Sequence, residues 1–250
     1  MWYNSALEAE MGGALAMPEL AGPVDIAGNL ARIRDSIATA AERAGRRPDE
    51  IKLVAVAKTI EAERVREAIA AAVADIGENY VQEAAAKKAE VSSDARWHMV
   101  GHLQRTKASQ AVTIFDMIQT VDSRRLAQAI SRRAETAGRT MEVLLQVNTS
   151  GEESKYGAAP DDAEALLRAM MEMPGIRVTG LMTIGRWDPD PERARPEFRS
   201  LARLARDLEA RVGLQLKWLS MGMSHDFEVA IKEGANLVRI GTAIFGPRPD

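Results

Sequence analysis

"VAVAKTIEAERVREAI", residues 54–69, passes from a run of small apolar residues to a helical pattern through a short polar link. Residues 53–57 read as a strand and residues 61–73 as a helix, which is the first half of a βαβ unit. Alternation along the strand puts Lys58 on the same side as Val54 and Val56. An ammonium group at the end of a buried strand is costly unless it is paired or chemically converted. One reading is a snorkelling lysine, with its stem buried and its head in water. The other is a desolvated lysine of lowered pKa, which is a nucleophile toward carbonyls.

The same alternation continues downstream. Strands are expected at residues 75–77, 97–100, 117–121, 141–147, 178–182, 216–219 and 237–240. Helices are expected over residues 81–90, 107–114, 160–173, 197–212 and 226–234, with Asp122 or Ser123 capping one more. Upstream, "DIAGNLARIRDSIATAAERAG" spaces Ile26, Leu30, Ile33 and Ile37 as a helix that Gly45 stops. Eight strand–helix units in about 200 residues favour an α/β fold, a single (β/α)8 TIM-type barrel with an extra N-terminal helix. That domain would span residues 23–250. The alternative is a doubly wound open sheet, which usually carries Gly-x-Gly-x-x-Gly after its first strand. Here that strand runs into "AKTIEA", without glycine. Residues 1–22 lack the basic start of a secretory signal and read as a loose extension, or as sequence ahead of a start at Met11 or Met17.

Composition narrows the function. The chain has 250 residues, a net charge of −3 and no cysteine. Nothing in that balance advertises nucleic acid or an anionic membrane as a partner. No apolar run approaches the ~20 residues of a membrane span. The missing cysteine excludes a disulfide scaffold, a thiolate zinc site and a cysteine nucleophile. It fits a reducing compartment, and a cytoplasmic location is expected; a monomer is expected as well.

In a barrel, reactive groups sit at the C-terminal ends of the strands. That rule selects Lys58, Asn79, His102, Asn148, Thr183, residues 220–224 and residues 239–242. Ser224 precedes a helical turn and reads as its N-cap, where free N–H groups would face an anion, with Gly222 letting the backbone approach a ligand. Gly241 and Thr242 lie just past the eighth strand, and barrels often bind phosphate with the loops after strands seven and eight. Arg239 lies within a strand, so it either pairs with a barrel carboxylate such as Glu78 or faces a ligand as a permanent cation. His98 and His102 have a spacing that suits a metal pair on a helix, but they flank a strand end; no metal site is expected. Lys155 reads as a solvated loop lysine or as a second lysine near the mouth.

The motifs "VAVAKT", "GENYVQE", "WHMVGHLQRTK", "QVNTSGEESKYG", "GLMTIG" and "LSMGMSHDFEVAIKEGANLVRIGTAIFG" together resemble the YggS/PROSC family of pyridoxal phosphate homeostasis proteins, relatives of the alanine racemase barrel. The resemblance covers residues 27–247. It implies that Lys58 binds pyridoxal 5′-phosphate as a Schiff base. Ser224, Gly241 and Thr242 would hold the phosphate, and Arg239 would face the pyridine nitrogen. Asn79 would line the pocket beside the ring, with Met182 and Ser220 near it. Lys155 matches a family lysine near the pocket, and His225 and Asp226 read as ordinary loop variation. The implied role is to hold, buffer and exchange the cofactor, with apo-enzymes that use it as partners and no significant catalysis. A weak amino-acid racemase or lyase is the alternative. Racemisation needs a base on each face of the ring, and the alanine racemases take the second, a tyrosine, from a C-terminal domain that is not expected here.

Overall fold

The computed structural model describes residues 24–152 and 155–247. The expected extension over residues 1–22 lies outside the described residues. Helix α1 (Ile26–Arg43) starts where the Asp25 carboxylate accepts the Gly28 N–H at 2.8 Å, and its buried stripe includes Ile26, Leu30, Ile33 and Ile37. The chain then alternates through β1 (Lys52–Val56), α2 (Ala62–Ala70), β2 (Asp75–Glu78), α3 (Val81–Val91), β3 (Arg96–Met99) and α4 (Ala108–Ile114). It continues through β4 (Met117–Val121), α5 (Arg124–Thr136), β5 (Met141–Gln146), α6 (Ala163–Met171), β6 (Ile176–Met182) and α7 (Arg195–Val212). The last elements are β7 (Trp218–Ser220), α8 (Phe227–Lys232), β8 (Leu237–Ile240) and a single turn, α9 (Thr242–Phe245).

The strands are parallel and follow chain order around a closed barrel, with β8 returning to pair with β1. The open doubly wound sheet is thereby excluded. Strand alternation sorts side chains into two cores. Val54, Met117, Leu144, Met182, Trp218 and Leu237 fill the barrel interior. Ala55, Ala57, Ile76 and Trp97 face outward into the layer between sheet and helices. Helix α1 packs against α8, α9 and α2. It takes the sector of the helical ring that the one-turn α9 is too short to cover. Among the described residues, no helix is long and apolar enough to cross a membrane.

Some element ends differ from expectation. Helix α2 stops at Ala70 because the chain turns there with Ala72 at φ 64°. Strand β7 starts two residues later than expected, since the Leu216 N–H donates to Glu209 Oε1 at 2.7 Å instead of joining the ladder.

Candidate functional site

A cavity of about 710 Å³ opens at the C-terminal ends of the strands. Six of the eight expected site residues line it: Lys58, Asn79, Ser224, Arg239, Gly241 and Thr242. Met182 and Ser220 do not line it. Both are fully buried beneath it, Met182 in the apolar interior and Ser220 under the Arg239 guanidinium. Lys155 lies off the cavity lining, half-buried, donating to the Gly185 carbonyl and pairing with Glu152, each at 3.2 Å.

Lys58 sits in the turn two residues past β1 rather than in the strand itself. Helix α3 grips that turn from both sides. The Lys87 ammonium donates to the Ala57 carbonyl at 2.6 Å, and the Thr59 N–H donates to Glu83 Oε2 at 2.9 Å. Thr59 has φ 63°, a left-handed conformation that a non-glycine residue adopts only when its surroundings hold it there. Lys87 also donates to Glu78 Oε1 at 2.7 Å. Glu78 is therefore paired with Lys87, not with Arg239. Burial pushes the Glu78 carboxyl above its ordinary range, and the Lys87 hydrogen bond only partly opposes this.

Ser224 is not the N-cap of α8; Asp226 takes that position. The Asp226 carboxylate accepts the Met223 N–H at 2.6 Å, and that short turn delays the helix to Phe227. Ser224 is aimed instead at the start of α9, where its Oγ accepts the Gly241 and Ala243 N–H groups, both at 3.3 Å. Gly222 does not line the cavity. It has φ 91°, and a Cβ there would meet Ala230 Cβ at 2.6 Å, so its missing side chain serves packing against α8. Gly101 has a comparable role at the other wall, where a Cβ would meet the Asn79 carbonyl at 2.5 Å.

Arg239 forms part of the cavity floor and is 4% exposed. Its Nη1 donates to Ser220 Oγ at 2.6 Å and its Nη2 to the Thr183 carbonyl at 2.8 Å. Burial pushes it down to about 10, with the nearby Asp226 opposing, so it keeps its charge at neutral pH. The site thus combines an amine in a gripped turn, a hydroxyl with N–H groups at a helix start, and a buried cation. These donors suit a ligand that carries a carbonyl, an anionic group and a neutral acceptor.

The outer wall escaped the sequence reading. Trp187, in the loop between β6 and α7, lines the cavity while 73% exposed. His225 Nε2 lies 3.0 Å from the Asp188 carbonyl and 3.1 Å from that of Pro189, tying that loop to the one before α8. His225 and Asp226 are also parts of the cavity wall. A tryptophan in a loop otherwise rich in Asp, Pro and Arg was the available signal. The two spaced histidines do not share a site. His98 is enclosed inside β3, while the His102 ring stacks on Tyr156 with centroids 3.6 Å apart. Among the described residues, no group of three or more His, Cys, Asp or Glu is arranged to hold a metal.

Residues 28–249 match the family model of the alanine racemase N-terminal domain. The pyridoxal phosphate homeostasis protein of Pseudomonas aeruginosa is 45% identical over 224 residues, covering 89% of this chain and 96% of that protein. PipY of Synechococcus elongatus, solved without PLP, matches with a TM-score of 0.81 at 37% identity, covering 88% of this chain and 100% of that one. The same protein solved with PLP bound gives a TM-score of 0.79 at 36% identity, with the same coverage. On both counts, the chain belongs to the alanine racemase N-terminal domain family, on its pyridoxal phosphate homeostasis branch.

Proposed function

We propose that this protein holds pyridoxal 5′-phosphate in the barrel-mouth cavity, exchanges it with apo-enzymes that need it, and keeps the vitamer pool balanced without significant catalysis. The observation that carries this reading is the meeting of Lys58, Ser224, Gly241, Thr242 and Arg239 around one cavity. Relatives named for the same homeostasis role, and a similar structure solved with PLP bound, support it. When bound, the cofactor supplies an aldehyde that condenses reversibly with amines and a ring that accepts electron density. Lys58 is the residue that would hold it covalently, its turn kept in place by Lys87 and Glu83. Ser224, Gly241 and Thr242 would bind the phosphate. Arg239 would donate to the ring nitrogen without giving up its proton, which leaves the ring a weak electron sink. Asn79 would flank the ring, with Met182 and Ser220 supporting it from beneath.

The described cavity lining includes the carboxylates of Asp188, Asp190 and Asp226 but no tyrosine of the kind the alanine racemases use as a second base. Lys58 is a competent base, but Tyr80 and Tyr156, the tyrosines among the described residues, lie outside the lining. His225 is engaged with two backbone carbonyls. We further propose that the protein acts as a cytoplasmic monomer.

The test is an absorbance spectrum of the purified protein before and after borohydride reduction, followed by peptide mapping. The expected result is a yellow protein whose cofactor mass becomes fixed on the peptide containing Lys58. Fixation elsewhere overturns the assignment. Incubation with L-alanine, L-serine and L-threonine should give no D-enantiomer, keto acid or aldehyde at ordinary enzyme rates of about 1–10³ per second. Turnover in that range would restore the racemase or lyase reading.

A further inference from the structure

One polar line runs through the apolar filling of the barrel, starting beneath the cavity floor. Arg239 Nη1 meets Ser220 Oγ at 2.6 Å, and Ser220 Oγ meets Gln119 Oε1 at 2.6 Å. Gln119 Nε2 lies 3.0 Å from His98 Nδ1, and His98 Nε2 lies 2.8 Å from Asp75 Oδ1. Lys52 closes the far end, 3.1 Å from Asp75 Oδ2. The four inner members, Ser220, Gln119, His98 and Asp75, are each no more than 2% exposed. Such groups need their partners, because an unpaired polar atom in an apolar interior is costly.

Chemistry gives this line a direction. A guanidinium can only donate, so the Ser220 oxygen accepts from Arg239. The Ser220 hydrogen then goes to the Gln119 carbonyl oxygen, which turns the Gln119 amide group toward His98. An amide N–H there requires a bare Nδ1, which leaves the imidazole proton on Nε2. That proton faces an ionised carboxylate, which can only accept. Every link has one consistent donor and one acceptor. Turning the Gln119 amide around would put the proton of the neutral ring on Nδ1 and leave a bare Nε2 facing the Asp75 carboxylate, acceptor against acceptor.

We propose that His98 and Gln119 are positioning residues for Arg239: the Nε2–H tautomer of His98, anchored on Asp75, orients the Gln119 amide, which orients the Ser220 hydroxyl and so fixes the guanidinium at the cavity floor. The effect on ligand rests on the cofactor reading above, whereas the relay is a property of the ligand-free protein. Burial pushes His98 below the ordinary histidine range, which favours the neutral ring that the relay needs. The charged groups acting on that ring are Asp75 from β2, Lys52 from β1 and Arg96 from its own strand.

Nitrogen-15 NMR of the ligand-free, histidine-labelled protein reads the tautomer directly. The expected result at neutral pH is a protonated Nε2 and a bare Nδ1 for His98. An Nδ1–H tautomer or an imidazolium overturns the relay. Gln119→Glu keeps the shape but removes the amide donor. It should convert His98 to the doubly protonated form and weaken pyridoxal 5′-phosphate binding about tenfold, as expected when a hydrogen bond to a charged group is disturbed. His98→Gln keeps a donor toward Asp75 and an acceptor toward Gln119, and it should bind within about threefold of the native protein. His98→Leu breaks the line and should weaken binding as Gln119→Glu does. If His98→Leu does not fold, the contrast between the two polar variants decides the matter. Equal affinity of Gln119→Glu and the native protein overturns the positioning role. If the native protein binds no cofactor, the functional reading fails, while the tautomer still decides the relay.

Discussion

At the scale of single residues, the buried titratable groups set the response to acid. The ordinary histidine pKa is about 6.5, and burial holds that of His98 lower. The folded protein therefore keeps this ring neutral while the unfolded chain takes up a proton. Stability is fully present above about pH 6.5 and falls below it by up to about 1.4 kcal/mol per pH unit, until the folded pKa is passed. Burial raises the Asp75 carboxyl, but hydrogen bonds from His98 and Lys52 outweigh it and leave the group below its ordinary range. Its contribution is present above the unfolded pKa of about 3.9 and is lost as pH falls through the lower folded value. Urea midpoints at pH 7 and pH 5.5 should therefore differ, and His98→Gln should reduce the difference. An identical slope in that variant would remove His98 as the cause. Gly101 makes a second residue-scale prediction. Adding one methyl, Gly101→Ala, drives it into the Asn79 backbone, with its carbonyl at 2.5 Å and its Cα at 2.6 Å. The expected cost is about 1–3 kcal/mol, measured by denaturant titration, with Asn79 displaced from the cavity wall. Neither effect was legible in sequence. The sequence places His98 within a strand, but only the closed barrel brings Asp75 and Gln119 onto its ring, and only the fold brings the Asn79 backbone against Gly101.

At the scale of elements, α3 and the short loops hold the site. Lys87 lies in the middle of α3, where "AAAKKAE" gives no sign of a buried charge. Yet it joins the fully buried Glu78 to the backbone of the Lys58 turn. Lys87→Met strands the Glu78 carboxylate and should cost about 3–5 kcal/mol. Adding Glu78→Gln should restore part of that loss. A melting temperature unchanged in the single variant would show that the pair contributes nothing. The loops after β7 and β8 were legible as phosphate-binding candidates because barrels use those positions. What sequence did not reveal is that Asp226, not Ser224, stands at the start of α8, its carboxylate on the Met223 N–H, while Ser224 faces α9. Because each hydrogen bond to a charged group contributes about 1.5–3 kcal/mol, pyridoxal without its phosphate should bind far more weakly. Equal affinities in a fluorescence titration would move the anion site elsewhere.

At the scale of the whole molecule, the cavity lies at the C-terminal end of a closed barrel whose interior is filled by apolar side chains. A deletion strain should show altered pools of vitamers and of amino and keto acids, and unchanged pools would end the homeostasis role even if Lys58 holds the cofactor. Light scattering of the purified protein should report a monomer. The sequence by itself determined the eight-fold alternation, the extra N-terminal helix and the strand-end residues, because period-2 and period-3.6 patterns are local and the C-terminal mouth follows from connectivity alone. Only the tertiary structure decided that Met182 and Ser220 lie beneath the cavity, that Glu78 belongs to Lys87, that Trp187 and His225 close the wall, and that Asp75, His98, Gln119 and Ser220 form one line to Arg239. Those contacts join residues up to 101 positions apart. The longest of them crosses the barrel from β4 to β7, so it exists only once the barrel has closed, in an interior where no water can satisfy an unpaired group.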